Sequence, residues 1–106
     1  QPHRYTRTKA LFKEFQTCFH KADYLVMTEI YAASEQPIPG VTSETLLEAT
    51  RKHGQRRTHF IGEVGRVAEE LMPELQDGDL VLTLGAGNIV TAGEQLLDIL
   101  REDSSV

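Results

Sequence analysis

Apolar residues recur along this chain with two different periods. Phe12, Phe15, Cys18 and Phe19 follow Leu11 at offsets of 1, 4, 7 and 8, which is one face of an amphipathic helix and predicts a helix over residues 8–21, with Thr6 or Thr8 as N-cap. Residues 23–30 (DYLVMTEI) lack that period and are rich in strand formers, so they read as a strand covered on both faces. The stretch 33–40 (ASEQPIPG) holds two prolines and a glycine and reads as a stiff surface loop. A helix follows from Thr42 or Ser43 to His53, with Leu46, Leu47 and Ala49 as anchors and Gly54 as its stop. Residues 58–62 (THFIG) read as a second strand. The helical period returns over 63–75 through Val64, Val67, Ala68, Leu71 and Leu75, with Pro73 disturbing its last turn. The turn at 76–79 (QDGD) opens 80–84 (LVLTL), the clearest strand pattern in the chain. Gly85-Ala86-Gly87-Asn88 leads from it into a helix over 89–101, and 102–106 is a polar, flexible tail.

Helices and strands alternate throughout, which predicts an α/β, Rossmann-like domain of three layers with a mostly parallel sheet. Three strands make a thin sheet, and one more ahead of Gln1 would complete the alternation. The chain therefore reads as one domain over residues 1–101 that lacks its first strand, and the exposed strand edge this leaves predicts poor stability or self-association.

With 106 residues and 11.9 kDa, one core is affordable and two are not. Eleven Lys and Arg against 16 Asp and Glu give a net charge of −5, which disfavours a nucleic-acid partner. The single cysteine cannot form an internal disulfide, and no apolar run approaches the roughly 18 residues of a membrane span. Both point to a cytoplasmic protein without a membrane partner.

Two constellations could carry chemistry. In His3-Arg4-Tyr5-Thr6-Arg7 two guanidiniums stand three residues apart ahead of a helix. If a strand ends at Pro2, this is a strand-to-helix turn at the carboxyl edge of a parallel sheet, where open α/β folds bind ligands. Arginine forks suit a carboxylate or phosphate, and the helix N-terminus would add its own positive field. A solvated basic terminus is the plain alternative. The second constellation, Gly85-Ala86-Gly87-Asn88, could offer helix-start amides to an anion or serve only as a tight turn. Val90 stands where a dinucleotide fingerprint needs its third glycine, and the loop has no P-loop lysine. His3, His20, His53 and His59 have no metal-ligand spacing, so no metal site is expected. Cys18 reads as a small buried hydrophobe.

Three strings in order, residues 1–8 (QPHRYTRT), Tyr31-Ala32-Ala33 with Pro37-Ile38-Pro39-Gly40, and Asp77-Gly78-Asp79 with Gly85-Ala86-Gly87-Asn88-Ile89, resemble the C-terminal domain of the Mur ligases of bacterial peptidoglycan synthesis. The resemblance runs to about Leu100 and is to the branch that joins L-alanine to UDP-N-acetylmuramate. It implies a three-domain, ATP-dependent amide-forming ligase working with magnesium, in which the amine of L-alanine attacks a muramyl acyl phosphate. ATP and magnesium would be bound mainly outside this segment, whose partners would be the N-terminal and central domains of the same chain. By position, Arg4 and Arg7 would hold the L-alanine carboxylate, His3 would line its pocket, and Gly85, Ala86, Gly87 and Asn88 would face the same cleft. Tyr31-Ala32-Ala33 and the proline loop would form a structural shoulder beside it. No catalytic residue falls in the segment, so by itself it should ligate nothing. The family's upstream Tyr- and His-containing motif, the helix and strand after it, and the P-loop have no counterpart in these 106 residues. A non-catalytic, flavodoxin-like module that binds an anionic small molecule is the alternative reading.

Overall fold

The computed structural model describes residues 1–55 and 57–104, and the backbone alone at 103 and 104. Strands β1 (Leu25–Met27) and β2 (Thr58–Phe60) pair in parallel, with Leu25 opposite Thr58 and Met27 opposite Phe60. Both are shorter than the sequence pattern predicts, but hydrogen bonds carry the pairing on: Ile61 N–H donates to Met27 O (3.0 Å) and Glu29 N–H to Gly62 O (3.2 Å). On the other side of β1, residues 2–4 run parallel to its continuation. There the Tyr31 N–H donates to Pro2 O and the Arg4 N–H to Tyr31 O, each at 2.8 Å. Beyond them the Gln1 nitrogen donates to Leu84 O at 2.9 Å. Among the described residues the order of hydrogen-bonded segments is therefore 1–4, β1, β2.

The alternation of strand side chains assigns the two layers. Leu25 and Met27 pack with Leu46 and Leu47 of α3 (Ser43–Lys52) and with Phe12, Phe15 and Phe19. Val26 points the other way, against Ile61, Val67, Leu71, Ala92 and Leu96, which come largely from α4 (Val67–Leu71) and α5 (Val90–Ser104). Cover on both faces is why the β1 sequence runs apolar without interruption. Helix α3 matches its expected span. Thr42 caps it through a reciprocal capping box with Thr45, the Thr45 N–H donating to Thr42 Oγ1 at 3.0 Å and the Thr42 N–H to Thr45 Oγ1 at 3.1 Å. Gly54 follows at φ 106, a conformation that only glycine adopts freely.

Five local expectations are corrected. The first helix is two pieces, α1 (Tyr5–Ala10) and α2 (Phe12–Phe15), separated by Leu11 at φ −107, ψ 14. Helix α1 buries only Thr8, while the phenylalanines beyond the break belong to the α3 cluster, so the two halves serve different surfaces. Neither Thr6 nor Thr8 is the N-cap: Arg4 occupies that position and makes no side-chain cap. The predicted helix over 63–75 is α4 flanked by 3-10 turns at Val64–Arg66 and Met72–Glu74, the second containing Pro73. Finally, 80–84 is not part of a strand ladder. Leu80, Leu82 and Leu84 are 81%, 70% and 63% exposed, and among the described residues only the Gln1–Leu84 bond ties this backbone to a neighbouring segment. Strand propensity does not supply a partner, and a ladder forms only where another backbone lies alongside. Helix α5 runs to Ser104, three residues into the expected tail.

Candidate functional site

The carboxyl ends of the parallel segments bring together Arg4, the turn after Tyr31, Gly62-Glu63 and the Gly85–Asn88 loop. Arg4 sits where the first segment passes into α1, at φ 66, ψ 143, a backbone region that side chains rarely occupy. Its amide is held by Tyr31 O, and its carbonyl accepts from both the amide (3.1 Å) and the hydroxyl (2.8 Å) of Thr8, which is fully buried. With both ends of its backbone fixed, Arg4 projects an exposed side chain from a rigid base. Arg7 follows in the first turns of α1 and is also exposed. Among the described residues neither guanidinium forms an ion pair, so both forks are available to an anion. His3 is half-buried, with its ring stacked on Tyr31 at 5.6 Å between centroids and 9° between planes. That stacking turns one face of His3 toward protein.

The helix starts themselves are occupied. Glu35, from the loop after Tyr31, accepts the Thr6 N–H on Oε1 (3.1 Å) and the Thr6 hydroxyl on Oε2 (2.5 Å). These bonds, with the nearby Arg4 charge contributing least, hold the Glu35 carboxyl below its ordinary value of 4.5. At the other helix, Gln1 Oε1 accepts the Ile89 N–H at 3.2 Å, just ahead of α5, and Gln1 Nε2 donates to Asn88 Oδ1 at 2.9 Å. The Thr6 and Ile89 amides thus already have side-chain acceptors, which for Ile89 favours the tight-turn alternative over an amide offered to an anion. The Arg4 and Arg7 side chains, by contrast, are exposed and form no ion pair among the described residues.

Gly85 and Gly87 have a packing role that their spacing did not disclose. A Cβ on Gly87 would lie 2.7 Å from the Tyr31 ring and 2.8 Å from Gln1 Oε1, and one on Gly85, at φ 158, would lie 2.9 Å from Gln1 O and from Ile89 Cγ2. The glycines let the loop close against the first segment and Tyr31. A shallow cavity of about 390 Å³ opens beside them, lined by Gln1, Glu29, Tyr31, Glu63 and Asn88 among others. Arg4, Arg7 and His3 do not line it, so the structure does not gather all the expected site residues around one cavity. Glu35 and Gln1 escaped the sequence reading because their acceptors act on backbone amides 29 and 88 residues away. Among the described residues no group of three or more His, Cys, Asp or Glu could hold a metal ion, and no helix is long and apolar enough to cross a membrane. Cys18 is exposed, which corrects its reading as a buried hydrophobe.

Fold and site together define a parallel α/β domain with an arginine-bearing turn at the carboxyl end of its first segment. The profile described as "Mur ligase, glutamate ligase domain" matches residues 2–87, and the chain belongs to the Mur ligase family, as its C-terminal domain. It is 61% identical over 103 residues to the UDP-N-acetylmuramate--L-alanine ligase of Desulfotalea psychrophila, covering 97% of this chain and 22% of that protein. The proteins of the same name from Geotalea daltonii and Trichlorobacter lovleyi are 55% identical over 102 residues and 59% over 97, covering 96% and 92% of this chain and 22% and 21% of theirs. The chain thus spans about a fifth of the length of the curated relatives it matches.

Proposed function

We propose that this chain is the amino-acid-binding domain of an ATP-dependent ligase that joins L-alanine to UDP-N-acetylmuramate in the cytoplasm. The observation that carries the reading is the pair of unpaired guanidiniums of Arg4 and Arg7, on a turn whose backbone is fixed and whose Thr6 amide already has a partner. A small zwitterion offers one carboxylate and one amine. Charge-assisted, fork-shaped bonds from Arg4 and Arg7 grip the carboxylate and leave the amine free to point away from the domain. His3, braced by Tyr31, bounds the side of that pocket.

The amine then meets the activated muramyl carboxylate, carried with ATP and magnesium by the N-terminal and central domains of the same protein. This chain supplies orientation rather than bond-making groups, and holding the nucleophile in place accounts for a large part of such a rate. The names of the relatives support the substrates, and their greater length supports the division of labour. The Gly85–Asn88 loop closes the opposite side of the same edge.

Steady-state kinetics of the full-length parent protein test this. Replacing Arg4 or Arg7 with Ala removes charge-assisted hydrogen bonds and is expected to raise KM for L-alanine about 10- to 100-fold, with little change in KM for ATP. Alanine kinetics unchanged in both variants would sink the assignment.

A further inference from the structure

Helix α1 carries the arginine turn but does not hold its own N-terminus. Its N-cap residue is Arg4, which contributes no side-chain cap and sits in a strained backbone conformation. The missing acceptor comes from Glu35, 29 residues on, whose two oxygens take the amide and the hydroxyl of Thr6. We propose that Glu35 is a positioning residue for amino-acid binding: by capping α1 from the neighbouring loop, it fixes the direction in which Arg4 and Arg7 present their guanidiniums.

Three observations converge on it. The segment 31–35 grips the arginine turn twice, through Tyr31 O on the Arg4 amide and through Glu35 on Thr6, so residues on either side of the Arg4 carbonyl are tied to one short loop. That loop is itself set by strained backbone. Ala33 and Ser34 have φ of 51 and 72, and the Glu35 N–H closes the turn on Ala32 O at 3.0 Å. With Arg4, these are all the non-glycine residues of positive φ among those described, and they fall on the two segments that Glu35 joins. Strain of this kind persists where the surroundings over-determine the conformation, and it gathers at functional sites. Lastly, Glu35 lies close enough to Arg4 to feel its charge yet forms no ion pair with it. A carboxylate spent on Thr6 leaves both forks open, whereas a free one would compete with the substrate.

The proposal rests on the carboxylate-pocket reading of Arg4 and Arg7, and the test separates the two. In the full-length parent protein, Glu35→Ala is expected to raise KM for L-alanine about 10-fold, leaving kcat and KM for ATP within about 2-fold, because misaimed groups weaken binding where they touch substrate. Glu35→Gln keeps an acceptor for the Thr6 amide without the charge, and should bring KM back to within about 3-fold of the parent. Thr6→Val loses only the hydroxyl bond and should fall between them. Should Glu35→Ala fail to fold, the Gln and Val variants carry the same ordering. Normal alanine KM in Glu35→Ala, or in both Glu35→Gln and Thr6→Val if the Ala variant is lost, beside raised KM in Arg4→Ala and Arg7→Ala, overturns this proposal alone. Normal KM in the arginine variants overturns the pocket reading and this proposal with it. A Glu35→Gln variant as impaired as Glu35→Ala assigns the effect to charge and overturns the capping role.

Discussion

The amide of Arg4 donates to the carbonyl of Tyr31 at 2.8 Å, and that bond joins the arginine turn to the segment that continues β1 while Arg4 sits at φ 66, ψ 143. The sheet continues as far as it can on that side, and the chain then has to turn sharply to start α1. The strain is a consequence of asking one residue to finish a strand and cap a helix.

A non-glycine residue in such a region is strained by about 1–3 kcal/mol, offset in part for glycine by its extra freedom when unfolded. Arg4→Gly is therefore expected to be more stable than Arg4→Ala by about 1 kcal/mol, although both remove the same guanidinium. Urea unfolding of the two variants checks it. An Ala variant equal to or above the Gly variant would show that the turn is unstrained.

Gly87 and Gly65 make a matched pair. A Cβ at Gly87 meets the Tyr31 ring at 2.7 Å, whereas nothing lies within 4 Å of one at Gly65. Gly87→Ala should destabilise by about 1–3 kcal/mol through forced repacking, and Gly65→Ala should stay within about 0.5 kcal/mol of the parent. The same unfolding measurement reads both. Because Tyr31 also stacks on His3, the Gly87 variant should in addition shift the His3 ring resonances in an NMR spectrum.

The Thr6 bonds hold the folded pKa of Glu35 below its ordinary 4.5, so the carboxylate is the bonded form. A group whose folded pKa is depressed contributes its stabilisation above the unfolded value and loses it as pH falls through the folded one. Exchange protection of the Thr6 amide should thus be constant from neutral pH down to 4.5 and disappear only below it. Loss of protection well above that value would refute the depressed pKa.

Leu80, Leu82 and Leu84 expose most of their surface along a segment that, among the described residues, has no ladder on either side. An open, apolar, strand-forming stretch is a template for pairing with another chain. The 106-residue chain by itself should self-associate in sedimentation experiments, and Leu80→Lys with Leu82→Lys should return it to a monomer. A monodisperse parent chain with a sharp thermal transition would contradict this.

Local information made much of the chain legible. Thr42 and Gly54 bracket α3 at both ends because a cap and a stop are matters of a few neighbouring residues. The apolar run at Leu25, Val26 and Met27 announced a strand covered on both sides for a similarly local reason. The family resemblance was legible because three short strings, at residues 1–8, 31–40 and 77–89, stand in the right order, and each is a matter of a few neighbouring residues. What the chain could not announce were bonds between segments far apart in it.

The amino-acid sequence by itself determined the alternation of helix and strand, the parallel α/β class, the family and the candidate arginines, since periodicity, capping and motif spacing are all written along the backbone. Only the tertiary structure decided that the strongest strand pattern, 80–84, stays out of the ladder, because pairing requires a neighbouring backbone rather than a propensity. Tertiary contacts alone also decided that Gly87 makes room for Tyr31 and that Glu35 and Gln1 occupy amides at two helix starts. Those assignments depend on which distant residues folding brings within about 3 Å of one another, a range at which hydrogen bonds and close packing act and which no spacing along the chain encodes.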